Sequence, residues 1–159
     1  MERIAINNQP IEIKDFVFAY NDIAPYLDLM DEKFEHPISF FEAITALAFV
    51  AFSEFPVDIG IIEAGMGGEW DATNVVEAAV SVITPIDFDH MAYLGNTLTE
   101  IARTKAGIIK PGGVVVLARQ QQEAAVELLR RAAEVGADVV REGLEFSFEN
   151  RAVAVVGNS

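Results

Sequence analysis

The chain has 159 residues, no cysteine, and 25 acidic against 11 basic side chains, for a net charge of −14. So negative a balance argues against nucleic acid and anionic membrane as partners, since both need a positive footprint. Apolar residues make up 52%, enough for a core and too many for a disordered acidic tail. Without cysteine there is no disulfide framework, thiolate zinc site or cysteine nucleophile, which fits a cytoplasmic protein.

The opening MERIAINNQP has no apolar stretch of the secretory-signal kind. From Asp15 to Lys33, Phe16, Val17, Tyr20, Ile23, Leu27 and Met30 fall at roughly helical spacing. Pro25 should kink or split that helix. Ser39-Phe40-Phe41-Glu42 fits a capping box opening a second helix to about Glu54. That helix is apolar nearly all round and so belongs between other elements. Its most apolar part, Ala43 to Phe52, is too short to span a bilayer.

Val57 to Glu63, Val80 to Thr84 and Val114 to Leu117 are β-branched runs without clean alternation. They are expected to be strands buried on both faces of a parallel sheet. A helix from Thr97 to about Gly107 starts on a second capping box, Thr97 to Glu100. Lys110-Pro111-Gly112-Gly113 reads as the turn into the third strand. A helix over about Gln121 to Val135 ends on Gly136. Asp138 to Val140, Leu144-x-Phe146-x-Phe148 and Ala152 to Val156 read as strands, the last two joined by a hairpin turn at Glu149-Asn150-Arg151. Alternating strands and helices imply a doubly wound α/β layer structure. No buried strand is expected before the first helix, and the chain reads as a piece of a larger protein.

Ligands of open parallel sheets bind beyond the carboxyl ends of the strands. Glu63 and a glycine-rich loop follow the first expected strand, in IIEAGMGGEWDATN at residues 61–74. Thr84-Pro85-Ile86-Asp87-Phe88-Asp89-His90 follows the second, and Ala118-Arg119-Gln120 the third. Carboxylates beside an imidazole suit Mg²⁺ or Mn²⁺ completed by phosphate oxygens. Taken singly, each residue also has a structural explanation. Glu63 can be a surface or capping acid, and Asp87 and Asp89 can cap turns. His90 can be a hydrogen-bonded structural histidine, and Lys105 can answer a helix macrodipole. The glycines can serve a tight turn. The loop matches neither common nucleotide fingerprint. The chain has no Gly-Lys pair, and Gly65-x-Gly67 is followed by Trp70 where a third glycine belongs.

Three runs, HPISFFEAITALAFVAF, VDIGIIEAGMGGEWDATNV and ITPIDFDHMAYLGNTLTEIARTKAGIIKPG, resemble the central ATPase domain of the folylpolyglutamate synthase/dihydrofolate synthase family. That family lies within the Mur ligase superfamily, and the resemblance covers nearly the whole chain. VVREGLEFSFENRAVAV is similar to the closing strands of that domain in actinobacterial members.

The resemblance implies a three-layer, mostly parallel sheet flanked by helices, like that of P-loop NTPases, and here incomplete. It also implies an ATP-dependent ligase. ATP phosphorylates a carboxylate of dihydropteroate or folate, and L-glutamate displaces the phosphate. By position, Glu63 and His90 match Mg²⁺ ligands. Lys105 matches a lysine that is carbamylated and catalytic. Asp71 and, beside it, Asn74 match the wall that meets the pterin substrate. Glu69 stands where the family usually has Arg, and Thr104 where it commonly has Glu. The family's phosphate-binding loop and its C-terminal glutamate-binding domain have no counterpart in these residues, so the chain alone is expected to be inactive. A peptidoglycan-precursor ligase fragment and a non-catalytic interaction module are the alternatives.

Overall fold

The structure, a computed structural model, describes residues 3–55 and 57–148. Its contacts divide the chain into two compact units, Met1–Gly65 and Met66–Ser159.

The first unit opens on a hairpin that the sequence reading missed, β1 (Ala5–Ile6) paired antiparallel with β2 (Gln9–Pro10). Asn7 and Asn8 turn it with φ of 52° and 62°, the left-handed pair that a two-residue hairpin loop demands and asparagine tolerates. The hairpin leads into α1 (Ile13–Lys33), which packs on α2 (Phe40–Glu54). Ile4, Ile11, Ala19, Ile23, Leu47 and Ala51 form the buried core between them. The Ser39 capping box is present, with Ser39 Oγ accepting from the Glu42 amide and Glu42 Oε2 accepting from the Ser39 amide.

Pro25 does not split α1, which runs through it. Proline removes one amide and leaves the carbonyl four residues back without a helical donor. Here Asn21 and Pro25 are both exposed, so water can serve that carbonyl. The expected strand Val57 to Glu63 is not formed among its described residues. Ile59 and Ile61 are 81% and 91% exposed. A strand exists only with a ladder partner, and this run has none among the described residues.

The second unit is α/β. Strands β3 (Val80–Ile83), β4 (Val114–Leu117) and β5 (Asp138–Arg141) form a parallel sheet in the order β3-β4-β5. The register sets Ile83 against Leu117 and Leu117 against Arg141. Helices α4 (Leu98–Ala106) and α5 (Gln122–Val135) make the two crossovers and pack on each other. Ile83, Ile101, Ile109, Val115, Leu117 and Leu128 are among the core side chains between sheet and helices. The capping box of Thr97 and Glu100 opens α4. Gly136, at φ 64°, closes α5, and the Ala137 amide bonds back to the Ala132 carbonyl in a Schellman arrangement.

Two further expectations are corrected. Burial alternates along β3 and β4 instead of covering both faces equally. Ser81 and Ile83 are buried, whereas Val80 and Val82 are 54% and 62% exposed. The apolar composition of β3 therefore misled, because α4 and α5 bury one face only. Leu144-x-Phe146-x-Phe148 is not a strand; it is a turn with a single bridge between Glu142 and Phe146. Alternation there reflects an edge-to-face contact of Phe146 with Phe148 at 6.0 Å. The expected hairpin at Glu149-Asn150-Arg151 and strand Ala152 to Val156 lie outside the described residues.

One carboxylate locks the two crossover helices. Glu127 of α5 is buried and accepts from Arg103 of α4 at 3.3 Å through both oxygens, and from Arg130 at 2.8 Å and 3.1 Å. Hydrogen bonds from Arg103, then Arg130, hold its pKa below the ordinary 4.5. A depressed pKa means that the stabilisation is complete above the unfolded value and disappears as pH falls through the folded one. Thermal melting from roughly pH 6 to pH 3 should show falling stability in the parent protein, with a shallower fall in Glu127→Gln.

Candidate functional site

The parallel register brings the ends of β3 and β4 to one edge, with the loops that leave them side by side. Pairing continues past the strands, since the Ala118 amide donates to the Ile83 carbonyl at 3.0 Å. Buried Ile86 then pins the loop that carries Asp87, Asp89 and His90, all exposed. Each Asp spends one carboxylate oxygen on the next amide, Asp87 on Phe88 and Asp89 on His90, both at 2.8 Å. His90 Nε2 stands 3.5 Å from Asp89 Oδ2. His90 itself is left-handed, with φ 47°, a conformation that costs on the order of 1 kcal/mol. It opens the one-turn helix α3 (Met91–Leu94).

The glycine-rich loop turns out to be a backbone packing device. Gly67 has φ 72°. A Cβ on Gly68 would sit 2.8 Å and 2.9 Å from the carbonyl oxygens of Thr104 and Lys105. A Cβ on Gly107 would lie 2.4 Å from Cβ and 2.5 Å from Cα of Glu69. The loop therefore lies directly on the C-terminal end of α4, with glycine on both sides of the contact. The Glu69 amide donates to the Thr104 carbonyl at 2.9 Å.

Asn74 completes this clasp. Its Nδ2 donates to the carbonyls of Glu69 at 3.1 Å and Gly107 at 3.2 Å. Its Oδ1 and main-chain oxygen accept from Lys110 Nζ at 2.9 Å and 2.6 Å. Asp71 holds the loop from within: Oδ1 accepts from the Thr73 amide and hydroxyl, and Oδ2 from the Met66 amide. The sequence reading took Lys110 for a turn residue and gave Gly107 no role. Their signal was the coincidence of a glycine and a lysine just past a helix end, which spacing alone does not connect to residues 69–74.

Lys105 is half-buried in the last turn of α4, and its side chain has no hydrogen-bond or ion-pair partner among the described residues. Glu63 is exposed and belongs to the first unit, whereas Asp71, Asn74, His90 and Lys105 belong to the second. No group of three or more His, Cys, Asp or Glu side chains is gathered for a metal among the described residues. The donors near His90 are nonetheless of the type a hard divalent cation takes, carboxylate oxygens with one imidazole. No helix among the described residues is long and apolar enough to cross a membrane.

Residues 22–155 match the Mur ligase middle domain. The chain belongs to the Mur ligase middle-domain family. Within that family it is 42% identical, over 99% of its length, to the dihydrofolate synthase/folylpolyglutamate synthase of Mycobacterium tuberculosis (strain ATCC 25618 / H37Rv). It is 45% identical, over 84% of its length, to the enzyme of that name in Bacillus subtilis (strain 168). Those stretches are 35% and 31% of the two relatives, so the chain spans about a third of their length. Among solved structures, Mycobacterium tuberculosis folylpolyglutamate synthase complexed with ADP and AMPPCP superposes with a TM-score of 0.90 at 43% identity. That match covers 98% of this chain and 37% of the other. A folylpolyglutamate synthase–AMPPCP–folate complex gives 0.89 at 36% identity, covering 96% and 38%. In this middle domain the sheet and crossover helices therefore follow the folylpolyglutamate synthase pattern.

Because the clasp is made of backbone contact and partly buried hydrogen bonds, it should be sensitive to small changes. Gly107→Ala should cost about 1–3 kcal/mol through overpacking against Glu69. Asn74→Ala should cost about 0.5–1.5 kcal/mol by removing hydrogen bonds that are only partly buried. Urea denaturation measures both. Values within error of the parent protein would show that the loop is not held by this contact.

Proposed function

We propose that these residues are the middle-domain part of a cytosolic ATP-dependent ligase that joins L-glutamate to dihydropteroate or to a folate's glutamate tail. The observation that carries this is the likeness in sequence and fold to folylpolyglutamate synthases, including structures with ADP, AMPPCP and folate. A free carboxylate is a poor electrophile. Transfer of the terminal phosphoryl group of ATP to it gives an acyl phosphate and ADP; attack by the amine of glutamate then forms the amide and releases phosphate. The phosphate cradle and the glutamate site would come from other parts of the parent enzyme.

In this reading Glu63 would help hold one Mg²⁺ and His90 a second, ions that when bound neutralise charge on the phosphoryl group. Asp71 and Asn74 keep the wall for the pterin substrate in shape, their polar atoms serving the loop. Lys105 is the residue to carry the carbamate. Its neutral amine adds to CO₂ and loses a proton, so that a cation becomes an anion at the end of α4. The lack of an ion-pair partner for Lys105 among the described residues supports this, because conversion breaks no existing pair.

Grafting this segment in place of its counterpart in the Mycobacterium tuberculosis enzyme tests the proposal. The chimera should form the amide only with ATP present. Lys105→Ala should lower the rate on the order of a hundredfold, as when a group meeting transition-state charge is removed. Incubation with ¹³C-bicarbonate should give a carbamate carbonyl signal that Lys105→Ala lacks. A folded but inactive chimera would refute the assignment.

A further inference from the structure

Gln120 follows β4 and is half-buried at the carboxyl edge of the sheet. Its side-chain amide does the work of a strand. Oε1 accepts from the Ile86 amide at 3.0 Å, and Nε2 donates to the Thr84 carbonyl at 2.9 Å. The two bonds bracket Pro85, which can donate nothing of its own. They extend the β3–β4 ladder beyond Ala118, where the last main-chain bond to β3 is made. Four residues after Ile86 comes His90, in a left-handed conformation that its surroundings must hold in place.

We propose that Gln120 is a positioning residue: by clamping Thr84 and Ile86 it fixes the loop from which His90 reaches a divalent cation. The assignment rests on the reading of His90 as a metal ligand. Side chains with the reach of glutamine but without both its donor and its acceptor leave one or both backbone groups unpaired. The loop then leaves the sheet one anchor early, although the core beneath α4 and α5 is untouched.

The test uses this chain with His36→Gln, which leaves His90 as its one imidazole, since the sequence holds two histidines. Mn²⁺ titration is followed by broadening of the His90 ring signal, and amide hydrogen exchange is measured without metal. Gln120→Met should speed exchange at Ile86 about tenfold or more, the scale of one lost hydrogen bond. It should also weaken the Mn²⁺ response of His90 several-fold, with Ile101 and Leu128 exchanging at their original rates. Should Gln120→Met not fold, Gln120→Ala is read in the same way, since it too removes both the acceptor for Ile86 and the donor for Thr84.

Unchanged exchange at Ile86 together with an unchanged Mn²⁺ response overturns the proposal. Acceleration at Ile101 and Leu128 as well overturns it too, because Gln120 would then stabilise the whole unit. A His90 signal indifferent to Mn²⁺ in the unsubstituted Gln120 protein defeats the metal reading itself. That failure is told apart by the exchange data, which need no metal, and it leaves Gln120 as an anchor of the loop only.

Discussion

The amide of Glu69 donates to the carbonyl of Thr104, and the second unit's candidate chemistry is arranged around that contact. It can form only because Gly68 and Gly107 carry no side chain where the loop meets the end of α4. Two backbones at that distance leave no room for a methyl group. Asn74 and Lys110 then tie the same two segments a second time. Lys105 lies between the carbonyl that Glu69 uses and the glycine that Glu69 packs on. Its place is therefore set by the glycine loop as well as by its own helix.

This changes the meaning of an acidic glycine loop. Its glycines allow close approach of main chain to main chain, and no phosphate is needed to account for them. Position 69 contributes its amide, its carbonyl, its Cα and its Cβ to the clasp, all of which glutamate and arginine have in common. Exposed Glu69, where the resemblance leads one to expect arginine, thus leaves the loop's architecture intact. The consequence of that exchange is confined to the charge offered to whatever approaches the loop.

The carboxyl edge of the sheet is organised on the same economy, with side-chain amides standing in for backbone. Gln120 pairs with Thr84 and Ile86 as a further strand residue would. Glu142 accepts from the Arg119 amide and so links the exits of β4 and β5. Beneath them, Glu127 of α5 joins the two crossover helices through Arg103 of α4 and also pairs with Arg130 of its own helix. Only the carboxylate of these pairs is buried, since both arginines reach solvent, so the cost of removing an arginine falls on Glu127.

Periodicity, capping boxes and turn residues were sufficient to find α2, α4, α5, β3 and β4 close to their observed ends, because those signals act within a few residues. The motif runs in IIEAGMGGEWDATN and KAGIIKPG carried the family, since ordered chemical identities survive without knowledge of contacts. Other features were beyond that local reach. Val57 to Glu63 has the composition of a strand, yet strand formation depends on a partner that no local pattern contains. Val80 and Val82 look like core residues, but burial is decided by what packs on a face. Pro25 reads as a kink or a split, yet α1 runs through it on an exposed turn. Asn74 and Lys110, 36 residues apart, meet only when the chain has folded. The local sequence thus determined elements and lineage, through short-range sterics and chemical identity. Tertiary structure alone decided which backbones touch, because close packing depends on the absence of side chains at two distant positions at once.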